Sequence, residues 1–354
     1  MDFFEKHLSS SLQAHVPYVP GKQPSLKEEV LKLNTNENPF PPSKSVKNAI
    51  FEEIEKLRLY PNPQSLELRT CIAELHNLSQ EQIIIGNGSD DILNLCMRCF
   101  SDHQLKAGML DPSYSLYKSL ASIQGSQILG VPFKDDDFDL PTREIIESNA
   151  NIFFLTSPHA PSGREFGLSR LKQILNSYKG IMVLDEAYVD FAKENAMRLA
   201  VKHSHVLVSR TFSKSYSLCF QRVGYFVGSR ELISALDKTR DSYNVNGLGQ
   251  LAAEATLRSL PYYRSNFRKI IELREKVELF LAGLGFETLP SQANFILTKP
   301  PRFAAGTWFK KLRAQKILVR HFKGSHVKDY LRITIGSEKD MNVLLRAIRA
   351  VLKS

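Results

Sequence analysis

The segment HVLVSRTFSKSYSLCFQRVGYFVGS, residues 205–229, places two short apolar stretches on either side of a polar loop. The stretches 205–211 and 223–229 are typical of buried β-strands. The loop between them carries Lys214 among serines and Arg222 eight residues later. A lysine near other cations, or one that is poorly hydrated, can lose its proton and attack a carbonyl group. An arginine is suited to hold a phosphate, so this loop is a candidate for chemistry.

Five further apolar segments precede this loop and alternate with amphipathic helical patterns. The predicted strands are 82–86, 107–112, 127–133, 151–158 and 180–188. The helical patterns cover 45–57, 66–78, 90–100, 115–125 and 169–178. Such alternation predicts an α/β fold with a mainly parallel sheet that helices cover on both faces.

The pattern changes after about residue 250. A long charged helical segment, residues 250–285, is followed by short strand-like segments and a closing helical pattern. This order suits a smaller α+β domain. The sequence therefore predicts an N-terminal arm (1–30), a large domain (31–250) and a small C-terminal domain (251–354).

The composition favours a globular protein with small anionic partners. The 354 residues are 43% hydrophobic and 24% charged, with a formal net charge of +10. The basic residues are spread along the chain, which favours phosphorylated metabolites over nucleic acid. No stretch approaches a membrane span, and the N-terminus lacks the apolar core of a signal peptide. With no pattern of a disulfide framework, we expect a cytoplasmic protein.

The cysteines and histidines show no metal-ligand spacing. Cys96 and Cys99 have CxxC spacing, but they lie in an apolar helical pattern and no second pair follows. A buried helix face is the favoured interpretation of this pair. We expect no metal site.

Other polar residues fall at the ends of predicted strands, where open α/β sheets bind their ligands. Residues 86–91, GNGSDD, form a glycine-rich turn before a helix, and the N–H groups of Ser89 and Asp90 are candidates to hold a phosphate. Acidic residues that merely stabilise the helix start are an equal alternative. Asp185 ends an apolar strand, where it would form a structural ion pair or face a cationic ring. With Lys214 and Arg222, these groups suit pyridoxal 5′-phosphate (PLP), which carries a phosphate, a carbonyl and a basic ring nitrogen.

Ten motifs, in order, resemble those of fold-type I PLP-dependent aminotransferases. They are LNTNENPFPPS, LYPNP, GNGSDD, DPSYSLY, SPHAPSG, LDEAYVDF, RTFSKSYS, QRVGY, YNVN and LRITIG. The resemblance runs from about residue 30 to the end. It is closest to members that pass the amino group of a phosphorylated amine to 2-oxoglutarate, forming glutamate. It implies the type I fold, a transferase that serves amino-acid biosynthesis, and a homodimer with shared active sites.

The resemblance implies a role at the cofactor for each matching residue. Lys214 would form the Schiff base, Asp185 would hold the pyridinium proton, and Tyr188 would donate a hydrogen bond to the ring oxygen O3′. Tyr114 would stack on the ring. The groups that would hold the cofactor phosphate are Ser89, Asp90, Ser213, Arg222 and, from the neighbouring subunit, Tyr60.

The resemblance also implies the substrate contacts. Arg332 would bind the substrate α-carboxylate, with Asn38 in the loop beside it. Arg320 and Tyr18 would bind the substrate's phosphate or distal carboxylate. From the residues alone, packing is the ordinary explanation for Tyr18 and Tyr114, and a salt bridge is the ordinary explanation for the two arginines.

Two segments depart from the family pattern. Before the proline of SPHAPSG the family usually has an Asn that donates to O3′, and Ala160 cannot do so. Our hypothesis is that His159 partly replaces that donor, with an exposed loop histidine as the alternative. The segment LCFQR, residues 218–222, replaces small residues and Gly-Leu but keeps Arg222 in place.

Three other functions remain open at this point. On the same scaffold, the chain would decarboxylate threonine phosphate or transfer the amino group of aromatic amino acids. A PLP-binding regulator that recognises DNA is an alternative of another class. Such regulators resemble aminotransferases with an N-terminal helix-turn-helix module, for which the roughly 30 residues before the resemblance are too few.

Overall fold

The computed structural model describes residues 3–13, 15, 17–25, 28–135, 137–324 and 326–354. The strands in these ranges are β1 (Leu31–Lys32), β2 (Ile83–Gly86), β3 (Ala107–Asp111), β4 (Ile128–Pro132), β5 (Ile152–Thr156), β6 (Ile181–Asp185), β7 (Val206–Thr211), β8 (Gly224–Val227), β9 (Glu287–Thr288), β10 (Phe295–Lys299), β11 (Ile317–Leu318), β12 (Arg320–His321) and β13 (Leu331–Thr334). The α-helices are α1 (Ser10–Gln13), α2 (Lys44–Glu52), α3 (Leu66–His76), α4 (Ser89–Phe100), α5 (Leu116–Gln124), α6 (Thr142–Ile146), α7 (Leu168–Ser177), α8 (Met197–Lys202), α9 (Arg230–Thr239), α10 (Gly247–Leu257), α11 (Leu260–Ala282), α12 (Ala305–Ala314) and α13 (Glu338–Lys353).

Seven strands form the main sheet, in the order β2-β8-β7-β6-β5-β3-β4. Neighbouring strands pair in parallel, except that β8 runs antiparallel to both β2 and β7. Each of the seven apolar segments predicted as a strand forms one of these strands. The prediction of a mainly parallel sheet is confirmed.

Both faces of this sheet are covered, as β5 illustrates. Phe153 and Leu155 belong to a core on one face, which includes residues of α7. Ile152 and Phe154 belong to a core on the other face, which includes residues of α4 and α5. Because side chains of a strand alternate between the faces, a strand covered on both sides consists of consecutive apolar residues. That continuity is what made the strand recognisable in the sequence.

A second, antiparallel sheet has the order β12-β13-β10-β9 and lies in the C-terminal part of the chain. Its core includes Ile296 of β10, Ile333 of β13, Trp308 of α12 and Leu344 of α13. Strand β1 pairs in parallel with β11, and Leu33 packs into this same core. The separate α+β unit after the main sheet is therefore present. The exact domain limits remain a prediction.

The long helical segment predicted over 250–285 is two helices. Helix α10 ends at Leu257, and α11 begins at Leu260 with Pro261 in its first turn. Proline is accepted there because the first N–H groups of a helix have no intrahelical partner. The break therefore falls where the sequence supplies a proline.

The helices in the described ranges include none whose length and apolar content would let it span a membrane.

The two cysteines with CxxC spacing lie on α4, where Cys96 is buried and Cys99 is half-buried. The thiol of Cys99 lies 3.1 Å from the Thr239 hydroxyl of α9. The interpretation of this pair as part of a packed helix face is confirmed.

Candidate active site

A cavity of about 560 Å³ opens at the carboxyl ends of β6 and β7 and reaches the second sheet. Strand ends of the main sheet, the start of α4, the segment 18–23 and the strands of the second sheet all contribute to its wall. The structure brings most of the predicted site residues together there: Tyr18, Ser89, Asp90, Tyr114, Asp185, Tyr188, Ser213, Lys214, Arg222, Arg320 and Arg332. The roles given to these residues remain predictions.

Lys214 lies in the loop that follows β7, at the wall of the cavity. Its Nζ donates a hydrogen bond to the backbone oxygen of Thr35, at 3.2 Å. The backbone of the same loop is held by Asn38, whose Nδ2 donates to the carbonyl oxygens of Lys214 (3.1 Å) and Ser215 (2.8 Å). The lysine therefore has a fixed backbone and a side chain whose only described partner is a neutral oxygen.

Asp185 ends β6 as a buried carboxylate that is 3% exposed. It accepts hydrogen bonds from the hydroxyls of Tyr117 (2.5 Å) and Ser209 (2.7 Å), and from the N–H of Ala187 (3.3 Å). Burial raises the pKa of Asp185 above its ordinary value, and the two hydroxyl donors only partly oppose this effect. The three donors are neutral, so a cationic ligand would stabilise the ionised form of this carboxylate.

Tyr188 lies between the two sheets, and its ring packs nearly perpendicular to that of Phe295 of β10, at a centroid distance of 5.0 Å. Its hydroxyl accepts a hydrogen bond from Asn36 Nδ2 at 3.0 Å. Asn36 is not among the predicted site residues. The aromatic packing and the amide together fix the position of the Tyr188 oxygen in the cavity wall.

The start of α4 and the loop before β8 form an anion cradle. Ser89 and Asp90 begin α4, and the N–H groups in the first turn of a helix have no intrahelical partner. Arg222 extends from the loop, with Nη1 3.2 Å from the Ser213 hydroxyl and Nη2 3.2 Å from the Asp90 carboxylate. Gly224 lets the strand approach closely, because a Cβ there would lie 2.5 Å from the Ser89 nitrogen. These donors suit a phosphate.

Tyr114 forms another part of the cavity wall, between the cradle and the N-terminal segment. Its hydroxyl donates to Asp90 at 3.3 Å, and its ring makes edge contacts with Tyr18 (5.9 Å) and Tyr117 (5.5 Å). The ring of Tyr114 is therefore held from two sides, as a stacking surface requires.

Two arginines face the cavity from the second sheet. The Arg332 guanidinium lies over the rings of Phe295 (5.2 Å) and Phe322 (5.4 Å), and its Nη2 donates to the Asn34 oxygen at 3.2 Å. Burial lowers the pKa of Arg332, and within the described residues its Nε has no hydrogen-bond partner. Arg320 donates to the backbone oxygens of Val19 and Pro20, at 3.0 and 3.3 Å. Neither arginine forms an ion pair with a described acidic residue, so both cations are available to an anion.

Two predicted residues do not line the cavity. The side chain of Asn38 is occupied with the Lys214 loop, as described above. Tyr60 is 83% exposed and stacks on Tyr243 at 4.6 Å. A contact of Tyr60 with a cofactor would therefore require a second subunit.

The hypothesis that His159 replaces the missing amide donor is wrong, and so is the alternative of an exposed loop histidine. The ring is fully buried among phenylalanines. Its Nε2 donates to the Pro112 oxygen at 3.0 Å, and its Nδ1 lies 2.8 Å from the Ser162 hydroxyl. Burial lowers the pKa of His159 to about 3. Both nitrogens are used in holding the loop, so neither can reach a ligand.

The structure adds three residues that sequence reasoning missed. Tyr117 and Ser209 donate to Asp185, and Asn36 donates to Tyr188. Tyr117 lies in the quoted motif DPSYSLY, and Ser209 lies two residues from the end of a predicted strand. The sequence contained no sign of which hydroxyl or amide would meet which partner.

Comparison with known proteins agrees with this geometry. The profile of the family described as Aminotransferase class I and II matches residues 28–348. A histidinol-phosphate aminotransferase of Microcystis aeruginosa is 40% identical over 335 residues, which cover 95% of each chain. Histidinol-phosphate aminotransferase 1 of Nostoc sp. is 38% identical over 98% of this chain and 99% of the relative.

Solved structures share the fold. The histidinol-phosphate aminotransferase of Sinorhizobium meliloti, in complex with pyridoxal-5′-phosphate, superposes with a TM-score of 0.90 at 23% identity, over 98% of each chain. The L-threonine-O-3-phosphate decarboxylase of Porphyromonas gingivalis gives a TM-score of 0.78 at 20% identity, over 91% of this chain and 99% of that one. The family profile and the curated relatives cover nearly the whole chain, and we conclude that it belongs to the class I and II aminotransferases.

Proposed function

We propose that this aminotransferase carries out the reversible transfer of an amino group between L-histidinol phosphate and 2-oxoglutarate, with PLP as cofactor, in histidine biosynthesis. One observation carries the proposal: Lys214, the buried carboxylate of Asp185 and the anion cradle at Ser89 and Arg222 all face one cavity. The curated relatives at 38–40% identity support the choice of substrate, because they are named for it.

The residues of the cavity fit PLP. Asp185 is buried with neutral donors only, and a protonated pyridine nitrogen would supply the missing positive charge. The start of α4, with Ser213 and Arg222, offers N–H, hydroxyl and guanidinium donors to a phosphate. When bound, PLP supplies a carbonyl for the amine of lysine or substrate and a ring that withdraws electrons.

The chain's own residues would then move and hold protons. Lys214, once released by the substrate amine, would act as the general base that takes the proton from the substrate Cα. Its described partner, the Thr35 oxygen, accepts a hydrogen bond without supplying a proton. Asp185 would keep the ring nitrogen protonated throughout, since its carboxylate is held by three donors. Tyr188 would donate a hydrogen bond from its hydroxyl to the ring oxygen.

The two arginines would recognise both substrates. Arg332 and Arg320 line the same cavity, and both are free of described acidic partners. A guanidinium binds phosphates and carboxylates through the same paired N–H groups. One site would thus accept L-histidinol phosphate in one half of the reaction and 2-oxoglutarate in the other. Tyr18 lies beside Tyr114 in the wall and would complete the contact.

We also propose that the active enzyme is a homodimer with shared sites. The segment around Tyr60 is rich in exposed apolar side chains, among them Phe51 (80% exposed), Leu57 (64%) and Leu59 (54%). Exposed apolar side chains grouped in one segment favour a protein interface. A second copy seated on it would carry Tyr60 to the partner's cavity, where it would meet the cofactor phosphate.

A cytoplasmic location completes the proposal. The four cysteines are free thiols, which fits a reducing compartment.

Parallel assays of one enzyme preparation test the function. With L-histidinol phosphate and 2-oxoglutarate we expect glutamate formation, and a catalytic efficiency well above that with phenylalanine. Release of carbon dioxide from threonine phosphate would instead indicate a decarboxylase. Faster transfer from phenylalanine would indicate an aromatic aminotransferase, and a sequence-specific gel shift would indicate a regulator. Borohydride reduction of the holoenzyme followed by peptide mapping should leave the pyridoxyl group on Lys214; a tag elsewhere contradicts the assignment.

A further inference from the structure

We infer that Asn36 is a positioning residue that orients the O–H bond of Tyr188 into the cavity, toward the cofactor. The inference rests on the proposed function, because it concerns how the chain holds a donor to that group. Ala160 supplies no amide donor, and His159 uses both of its ring nitrogens in holding its own loop. Tyr188 is therefore left as the donor to the ring oxygen of the cofactor.

Asn36 lies in the segment before α2 and is fixed against the second sheet. It is 1% exposed, and its φ of 58° lies in the left-handed region, which asparagine tolerates better than most residues. Its backbone N–H donates to the Thr334 hydroxyl oxygen at 3.0 Å, and its backbone oxygen accepts from Asn294 Nδ2 at 3.0 Å. Such a residue has little freedom to adapt its side chain to Tyr188.

The hydrogen bonds decide which end of the Asn36 amide faces Tyr188. The Thr334 hydroxyl oxygen already accepts from the Asn36 N–H, so its own proton is free to be donated, and Asn36 Oδ1 lies 3.1 Å away. An Oδ1 that accepts from Thr334 leaves the NH₂ group on the other side of the amide. That group lies 3.0 Å from the Tyr188 oxygen. The amide is therefore a donor to Tyr188.

The direction of the Tyr188 proton follows from this assignment. A phenol has a single proton, and its oxygen here already accepts from an N–H group that has no lone pair to offer in return. The proton must then point away from Asn36. Since the Tyr188 ring is packed against Phe295, the open direction is the cavity that Tyr188 lines. A single, directed donor would thus replace the two donors that the family pattern supplies.

Strand β13, which carries Thr334, also carries the candidate substrate residue Arg332. Thr334 lies on β13 two residues after Arg332, and the Arg332 side chain donates to Asn34, two residues before Asn36. The donor to the cofactor and the cation for the substrate therefore share one support. Loss of the Thr334 hydroxyl would release the Asn36 amide, so Thr334 provides a second, independent way to test the inference.

The test measures the pKa of the visible chromophore that Lys214 forms with PLP, by titrating the absorption band of the holoenzyme. A directed donor stabilises the negative charge on the ring oxygen. Without this donor, the Lys214 nitrogen joined to the cofactor is harder to deprotonate. We expect N36G to raise the pKa of the band by about 0.5–1 pH unit. Glycine accepts the positive φ and keeps the backbone hydrogen bonds, so this variant removes only the amide.

Three further variants separate positioning from a general structural effect. T334V should shift the band in the same direction as N36G, whereas T334S, which keeps the hydroxyl, should match the wild type. In a Y188F background, N36G should cause no additional shift, because the amide acts through the phenol. An unchanged band in both N36G and T334V, or a shift that persists without the Tyr188 hydroxyl, would overturn the inference. A wild-type protein with no band that borohydride fixes to Lys214 would overturn the proposed function as well.

Discussion

Arg210 and Glu186 form a buried ion pair behind the candidate active site, with 2.8 Å between Arg210 Nε and Glu186 Oε2. Each follows directly on a member of the Ser209–Asp185 hydrogen bond. Because successive side chains point to opposite sides of a strand, the ion pair holds β6 and β7 together from the far face. Asp190, 3.9 Å from Arg210, accepts from the Ser215 hydroxyl at 2.5 Å. The ion pair therefore fixes the strand ends that carry Asp185 and Ser209, and Asp190 fixes the loop that carries Lys214.

Breaking this ion pair should destabilise the fold strongly. We expect R210M to lower the free energy of unfolding by about 3–5 kcal/mol, because Glu186 would remain as an unpaired buried charge. The double variant R210M/E186Q should recover part of that loss, as measured by urea denaturation. The matched control is R143M, which breaks a pair whose side chains are 80% and 59% exposed. Its effect should be far smaller than that of R210M, because exposed ion pairs contribute little to stability; an equal effect of R143M and R210M would contradict this expectation.

Asp185 should make the PLP-free protein less stable as pH rises. Burial raises its pKa above the ordinary value of 3.8, so between 3.8 and the raised pKa the folded chain holds the proton more tightly than the unfolded chain. The free energy of unfolding therefore falls as pH rises through this window. Urea denaturation of the wild type minus that of D185N should show this decline and then a plateau.

The Asp185 carboxylate should also determine how tightly the protein binds PLP. D185N should weaken PLP binding by about 10–100-fold, because a charged hydrogen bond to the ring nitrogen becomes a neutral one. Spectroscopic titration of both proteins with PLP measures the difference. Equal affinities would contradict the place assigned to Asp185.

His159 should make the fold sensitive to acid. Burial lowers its pKa from 6.5 to about 3, so in this range the unfolded chain binds a proton that the folded chain does not. Stability is then lost as pH falls below 6.5, with a slope of up to about 1.4 kcal/mol per pH unit from this group. The slope should be smaller in H159Q than in the wild type. Urea denaturation at several pH values between 4 and 7 checks this, and identical slopes in H159Q and the wild type would exclude His159 as the source.

Arg332 and Arg320 should differ from exposed arginines in their effect on substrate binding. Lysine keeps the charge but not the paired N–H groups, so R332K and R320K should each raise KM for 2-oxoglutarate or L-histidinol phosphate by about 10–100-fold. The control R313K alters an exposed arginine of α12 and should leave KM unchanged. Full kinetics with both substrates would show which arginine serves which anion. Unchanged KM values for both substrates in both variants would refute the assignment.

Active-site complementation should reveal shared sites. In a mixed dimer of K214A and Y60A subunits, one cavity combines an intact Lys214 with an intact Tyr60 from its neighbour. Unfolding and refolding the two inactive variants together should restore up to about a quarter of the wild-type activity, since half of the dimers are mixed and each has one complete site. No recovery, in material shown by sedimentation to be dimeric, would place Tyr60 outside the partner's site.

Much of the fold was predictable because its strands are covered on both faces. Within the predicted strand 151–158, residues 152–155 are all apolar, and every residue of the resulting strand β5 is buried. Helix α9 received no prediction, although its buried residues Leu232, Ile233 and Leu236 have helical spacing. It follows shortly after β8, and its position is set by packing against α4 and β2. Local patterns thus identified the sheet more completely than its covering layer.

The site divides in the same way. Lys214, Asp185 and the turn before α4 lie at strand ends, and strand ends can be located in a sequence. The partners that orient these groups cannot, because they are distant in the chain. Asn36 and Tyr188 are separated by 152 residues and meet only through the second sheet. His159 shows the reverse case, since a polar residue in a loop motif proved to be fully enclosed by aromatic rings.

The reversed direction of β8 has a consequence for the loop that precedes it. Since β7 and β8 are antiparallel neighbours, the connection from Phe212 to Val223 leaves the sheet and returns to it at the same edge. Lys214 and Arg222 therefore lie on one loop whose two ends are both fixed in the sheet. The length of this loop sets the distance between the lysine amine and the guanidinium. An added or deleted residue there would misalign the two, even with every functional side chain retained.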